Sequence, residues 1–357
     1  MRRSFVRGCG LFLVALALPV FAVGTATAAT KTPKVTKLAP ATLNGSGSTL
    51  QLAYDQVVIG DFRKLQKAVT INYAGGGSGK GRQDFIDQVV DWAGTDAPYS
   101  AADAAKPKGG AYLYFPTVAG PITVSYNLSG VKSLQLSADT MAGIFSRTIT
   151  KWDDAKIAAD NPGVKLPSTA ITVARRADSS GTTQNFATFL TKAAPTVWTL
   201  GSGSTVSWPS DTQGATGNTG VAQIVQKTDG AIGYVDFSDA QAIGLTYAKV
   251  KNADGKYIAP STAAASLAVA AATVNADLTY DPINTSGPKV YPITSPTYIL
   301  EYTNQTDANK GNAIKGFLNY IYGVGQVTAP TVDYAPLSKA LLTQAKAQVA
   351  KIVVPAG

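Results

Sequence analysis

Residues 170–190 read AITVARRADSSGTTQNFATFL. The segment 170–174 is a short apolar run with β-branched residues, which predicts a strand. Arg175-Arg176-Ala177-Asp178-Ser179-Ser180-Gly181-Thr182-Thr183 then forms a polar turn. Phe186, Phe189 and Leu190 follow at helical spacing. The stretch therefore predicts strand, turn, helix. At such a junction free backbone N–H groups and the positive end of the helix dipole point out of the turn, where they suit an anion.

Two further stretches have the same form. Gly45-Ser46-Gly47-Ser48-Thr49-Leu50 precedes a helical face of Leu50, Tyr54, Val57, Val58 and Leu65. Gly75-Gly76-Gly77-Ser78-Gly79-Lys80-Gly81 follows a strand at 69–73 and precedes a helix carrying Phe85, Ile86, Val89 and Val90. Taken singly, each is an ordinary cap or turn, because Gly and Ser are common there. Further out, strands are expected at 92–98, 112–115, 122–126, 231–237, 290–293 and 298–302, the first ending in a turn. A helix start is expected at Ser100 with Asp103, and a helix over 136–145 with Ser137 as cap. Two final helices carry Ile314, Phe317, Leu318, Ile321 and then Leu341, Leu342, Ala345, Val349. Residues 251–288, rich in Ala, Thr, Asn and Pro, show no readable period. Strands alternating with helices predict an α/β fold with mainly parallel sheets.

Composition removes many chemistries. The 357 residues include no His and one Cys. A Ser-His-Asp triad, a Cys-His dyad and a His-ligated zinc are therefore excluded, as is a multi-Cys zinc site. Residues 74–80 resemble a P-loop, but position 74 is Ala74 and Gly81 stands where Ser or Thr is needed. Neither GxGxxG nor GxSxG occurs. Ser286-Gly287-Pro288-Lys289 matches SxxK, but Gly-Pro opposes the helical turn that would return Lys289 to Ser286. Arg2, Arg3 and Arg7, an apolar run over 11–23 and Ala26-Thr27-Ala28 read as a signal peptide, 1–28, cleaved near Ala28. Its loss removes Cys9 and three arginines from a net charge of +9. The remaining mild positive bias suits anions, and the absence of a Lys/Arg block argues against nucleic acid. Residues 29–40 read as a flexible leader.

With these motifs the chain strongly resembles the phosphate-binding proteins of bacterial phosphate ABC transporters, in the type II periplasmic binding-protein superfamily. The three turns carry the resemblance together with Ala93-Gly94-Thr95-Asp96-Ala97-Pro98, Asn161-Pro162-Gly163 and Gly230-Ala231-Ile232-Gly233-Tyr234-Val235. It implies two α/β lobes joined by hinge strands, 41–117 with 291–357 and 118–290, hinged near 115–118 and 290–294. It implies a phosphate site of Thr49, Leu50, Ser78, Asp96, Arg176, Ser180, Gly181 and Thr182, with Asp178 holding Arg176. Leu50 stands where the family usually has Phe, and Gly79 where many members have a second Ser. The implied partners are inorganic phosphate, arsenate as its mimic, and membrane permease subunits. The implied protein is periplasmic and monomeric, with no catalysis, cofactor or metal. A secreted phosphatase-like enzyme and a surface or adhesion protein reusing the fold are the competing classes.

Overall fold

Strand β4, Tyr112–Asn127, is the axis of the molecule. The sequence predicts two strands here, 112–115 and 122–126, yet all 16 residues form one continuous strand. Its first half pairs antiparallel with β12, Thr294–Tyr302, and its second half pairs antiparallel with β8, Ala231–Asp236. Pro116 lies at the change of register between Pro296 and Tyr298, where a ladder donor is not required, and Pro121 lies at the end of the β12 pairing, opposite Thr294, just before the β8 pairing begins at Ile122. The buried Thr297 side chain repairs that break. Its hydroxyl donates to the Val118 carbonyl at 2.9 Å, lies 2.6 Å from Thr117 Oγ1 and accepts the Val118 N–H at 3.3 Å.

The computed structural model describes residues 36–356. The expected signal peptide, Cys9 and the leader as far as residue 35 lie outside the described residues. On one flank of the β4/β12 pair lie β1 (Ala41–Gly47), β2 (Val69–Gly75) and β3 (Trp92–Thr95), in the order β2-β1-β3-β12. On the other lie β6 (Thr172–Arg176) and β7 (Gln213–Ala215), continuing β4-β8-β6-β7. The pairs β1–β2, β1–β3, β6–β8 and β6–β7 are parallel, as expected of strand–helix alternation, and the antiparallel pairs are central. β9 (Thr246–Tyr247) pairs with β4. β5 (Gln135–Leu136), β10 (Lys249–Lys251) and β11 (Tyr257–Ile258) form a small separate sheet.

The helices that matter most for the site are α1 (Leu52–Leu65), α2 (Ser78–Ile86), α5 (Gly181–Ala193) and α6 (Gly217–Lys227). In chain order α3 (Ala138–Phe145) and α4 (Ala155–Asp160) lie between α2 and α5. After α6 come α7 (Phe237–Ala242), α8 (Thr262–Ala271), α9 (Ala308–Tyr320) and a last helix, Lys339–Gln348. The expected cap is present on α3, where Ser137 Oγ accepts the Thr140 N–H. In α1 the core face is Tyr54, Asp55, Val58, Ile59 and Phe62, whereas Val57 and Leu65 face outward. The α2 helix stops at Ile86, so Val89 is 68% exposed rather than part of an apolar stripe. Gln88, at φ 57°, turns the chain there. Ser100 and Asp103 close a turn and start no helix. The unreadable stretch 251–288 contains α8, whose buried Ala264, Ala265 and Ala268 let it pack close against β4.

Thr297→Val keeps shape but removes the hydroxyl that joins β4 to β12, leaving the Thr117 hydroxyl and the Val118 backbone short of partners. It is expected to cost about 1.5–3 kcal/mol in denaturant unfolding. A change under about 0.5 kcal/mol would show that the bulge needs no side-chain support.

Candidate functional site

The C-terminal ends of β1, β2 and β3 meet those of β6 and β7, and each leads into a turn. Gly47, at φ 139°, ends β1 where an added Cβ would lie 2.0 Å from the Gly94 carbonyl oxygen, so only glycine fits. The next turn carries Ser48, Thr49 and Leu50 into α1. Gly77, at φ 89°, opens α2, and Ser78 is its first residue. Asp96 follows β3 directly. From the other side the β6–α5 turn carries Arg176 to Thr182, with Ser180 as the α5 cap accepting the Thr183 N–H at 3.1 Å.

These expected residues converge. Asp96 is 1% exposed. Its carboxylate accepts from Ser48 Oγ and, at 3.0 Å, from Ser78 Oγ, while its N–H donates back to Ser78 Oγ at 3.1 Å. Arg176 is 2% exposed and is clamped by Asp178, with Nε to Oδ1 at 2.7 Å and Nη2 to Oδ2. Its Nη1 donates to Thr49 Oγ1 at 3.0 Å, across the two sheet halves. Gly181 abuts the carboxylate, since a Cβ there would lie 2.4 Å from Asp96 Oδ2. Thr182 Oγ1 accepts from Asn218 Nδ2 at 3.2 Å. Leu50 is fully buried. Its N–H donates to Ser48 Oγ at 3.0 Å, and its carbonyl accepts from Tyr334 at 2.5 Å. Lys80, although near these turns, is occupied by Asp84 at 2.7 Å and its side chain is 58% exposed.

Four residues not expected from the sequence complete the arrangement. Ser48 links Asp96 to the first turn of α1. Asn185 donates to the Asp96 carbonyl at 2.9 Å and to the Gly181 carbonyl at 3.0 Å. Asn218 accepts from Arg176 Nη1 at 3.2 Å. The Tyr234 hydroxyl accepts the Arg176 N–H at 3.0 Å and pairs with Thr183 Oγ1 at 2.6 Å. Two signals were available. Asn185 lies four residues after Gly181, on the same helix face. Asn218 follows the Thr216-Gly217 turn into α6, a fourth junction of the same strand–turn–helix kind.

The electrostatics follow from burial. Desolvation raises the Asp96 carboxyl to about 6, against the pull of the Ser48 and Ser78 hydrogen bonds and the Arg176 and Arg82 charges. Burial also works to raise Asp178, but the Arg176 hydrogen bonds and charge outweigh it and hold it below the usual carboxylate range. Gly79 N–H donates to the Ser179 carbonyl at 3.0 Å, and a Cβ on Gly79 would lie 1.9 Å from Ser179 Oγ. Glycine at position 79 is thus what lets the two turns touch. The cluster offers hydroxyls, three helix starts, one neutralised guanidinium and one carboxylate. That set suits a small oxyanion that still carries a proton.

The sequence matches the family described as PBP superfamily domain over residues 25–324. Phosphate-binding protein PstS 3 of Mycobacterium leprae is 35% identical over 326 residues, 88% of each chain. Phosphate-binding protein PstS of Pasteurella multocida is 34% identical over 284 residues, 78% of this chain and 81% of that one. The high-affinity periplasmic phosphate-binding protein PfluDING, solved with phosphate bound, superposes with a TM-score of 0.72 at 24% identity. It covers 86% of this chain and 94% of that one, and shows that the two share the two-lobed type II fold. This chain belongs to the PBP superfamily and, within it, to the PstS family of phosphate-binding proteins.

Proposed function

We propose that this protein is exported, captures inorganic phosphate as a monomer between lobes 41–117 with 291–357 and 118–290, and delivers it to an ABC transporter permease. Thr49, Leu50, Ser78, Asp96, Arg176, Ser180, Gly181 and Thr182 surround the anion, with Asp178 fixing Arg176. The hinge lies where β4 and the approach to β12 cross between the lobes, near 115–118 and 290–294. Arsenate, which protonates like phosphate, binds too. Among the described residues no helix is long and apolar enough to cross a membrane.

The observation that carries this reading is Asp96, a buried carboxylate set among donors. Phosphate at neutral pH keeps a proton and can give Asp96 a hydrogen bond. Sulfate has none, so the same carboxylate meets only lone pairs. The phosphatase reading gains no support from the site. Ser180 Oγ is engaged as the α5 cap, and the nearby Asp178 is committed to Arg176, so Asp178 is not free to activate the hydroxyl. Turnover of a generic phosphomonoester by the purified protein would reverse that judgement.

Calorimetry on the protein stripped of anion by partial unfolding and dialysis is expected to show one-to-one phosphate binding and no sulfate heat. A folded, stripped protein giving no phosphate heat would overturn the reading. Asp96→Asn is expected to collapse the phosphate-over-sulfate preference by about 10²-fold or more. An unchanged ratio would remove Asp96 as the selective group. The preference also depends on pH. Above about 6 Asp96 is a carboxylate that accepts from phosphate, and below it the carboxyl carries a proton it can donate to sulfate. The phosphate-to-sulfate affinity ratio is therefore expected to shrink as pH falls from about 7 to about 5. A ratio that stays flat counts against this account.

A further inference from the structure

A second acid lies shut away under the turn that carries Thr49 and Leu50. Asp55, in the first turn of α1, and Gln51, four residues before it, are both 0% exposed. Gln51 Nε2 donates to Asp55 Oδ2 at 2.8 Å. The pair's other oxygens, Gln51 Oε1 and Asp55 Oδ1, are buried without a hydrogen-bond partner. An amide facing a carboxylate leaves both of these acceptors unsatisfied. An amide facing a carboxylic acid does not, because the acid O–H donates to the amide oxygen while the amide N–H donates to the other acid oxygen. One proton on Asp55 therefore supplies what both orphan oxygens lack.

The charged surroundings agree. Asp96 is the ionised group that acts on Asp55, and it repels a second negative charge. The other titratable groups facing Asp55 are Tyr54 on its own helix, Tyr73 on β2 and Tyr334 from the segment before the last helix. None of these is a cation. Burial, opposed by the Gln51 hydrogen bond and aided by Asp96, lifts the Asp55 carboxyl to about 8.

The pair is wired to the anion turn. The Gln51 N–H points to Ser48 Oγ at 3.4 Å, and Ser48 Oγ also donates to Asp96. Tyr73 donates to the Ser48 carbonyl at 2.8 Å. Gln51 packs on the β3 backbone two residues before Asp96, where a Cβ on Gly94 would lie 2.7 Å from Gln51 Nε2.

We propose that Asp55 is a positioning residue for the anion site. It holds Gln51 under the Ser48–Leu50 turn as a neutral, protonated floor, and when ionised it places a second negative charge beneath the anion and weakens binding. This rests on the phosphate-binding reading of the site. It means that alkaline conditions reduce capture through the protein itself, independently of the ligand's own titration.

The test is the phosphate dissociation constant of the full-length folded protein and of Asp55→Asn, each at about pH 7.5 and about pH 9.5. The wild type is expected to weaken about tenfold over that interval, as one added like charge at partly screened distance would cause. Asp55→Asn is expected to change less than about twofold, because it keeps the shape and has no proton to lose. Equal falls in both proteins overturn the inference. The ligand-free protein gives a second readout. A carboxyl raised in the folded state contributes stability below its unfolded value near 4 and loses it as pH rises through the folded value. The melting temperature of wild type minus that of Asp55→Asn is therefore expected to shrink from about pH 4 to about pH 8 and then level off. A constant difference overturns the proton assignment. Should Asp55→Asn fail to fold, Gln51→Leu leaves Asp55 without its amide, and the alkaline fall in affinity should move to higher pH. A fall that stays in place overturns the inference. No phosphate binding by folded wild type at any pH removes the functional reading and this inference with it. Normal binding near pH 7.5 with parallel profiles removes this inference alone.

Discussion

A carboxylate that has been taken out of water must be given partners, and the partners of Asp96 come from every part of the site. Ser48 comes from the β1–α1 turn, Ser78 from the start of α2, and Asn185, through the Asp96 carbonyl, from α5 in the other half of the sheet. Moving any of these turns by an ångström leaves a buried polar group unpaired. The glycines at 47, 77 and 181 follow from that constraint, because a side chain at any of them would fill the space the turns need to approach one another. Arg176 plays the matching role on the opposite side. It is held by Asp178 and Asn218 in its own half and reaches Thr49 in the other, while Asn185 reaches back to the Asp96 carbonyl, so the two halves are tied together at both ends of the cluster.

On the proposed reading, the charge balance lets the cluster hold an anion without being strongly basic. Arg176 is offset by Asp178, and Asp96 adds a further negative charge. Oriented N–H and O–H groups at the starts of α1, α2 and α5 are what remain to face a bound oxyanion. Specificity then comes from the pattern of donors and acceptors, and net attraction has a small part in it. Placing acids near an anion site carries a risk, and the Gln51–Asp55 pair shows one physical solution, which is to keep the deeper acid neutral.

The turns were the most legible part of the sequence. Gly-Ser-Thr stretches after apolar runs announce strand-to-helix junctions, and the nine residues expected at the site do gather in one place. Asn185 and Asn218 were harder to see, because an amide on a helix face has no signature apart from its spacing. The errors in the fold share a cause. The expected strands 112–115 and 122–126 are one, because β4 runs unbroken past Pro116, where its partner shifts register and asks for no donor. Val57 and Leu65 on α1 and Val89 beyond α2 read as core because they are apolar, while Asp55, polar by type, takes a buried place on α1. Residue type gives the average environment of a side chain, and packing decides the individual one. The helix α8 was unreadable for a related reason, since alanines on several faces leave no period to find.

The position of β12 has a consequence for how the chain is made. β3 near the start of the chain pairs with β12, some two hundred residues later, and β12 also closes against the first half of β4. The strands β8, β6 and β7 and the second half of β4 find one another within the middle of the sequence. A chain emerging with its N-terminus first can assemble that middle half as soon as β8 appears, whereas β1 to β3 must wait for β12 to complete their sheet. Closing such long loops is slow compared with local pairing. The half that forms last is the half that presents Ser48, Ser78 and Asp96. Ser48, Ser78 and Asp96 therefore sit on a sheet that closes only when nearly the whole chain is available.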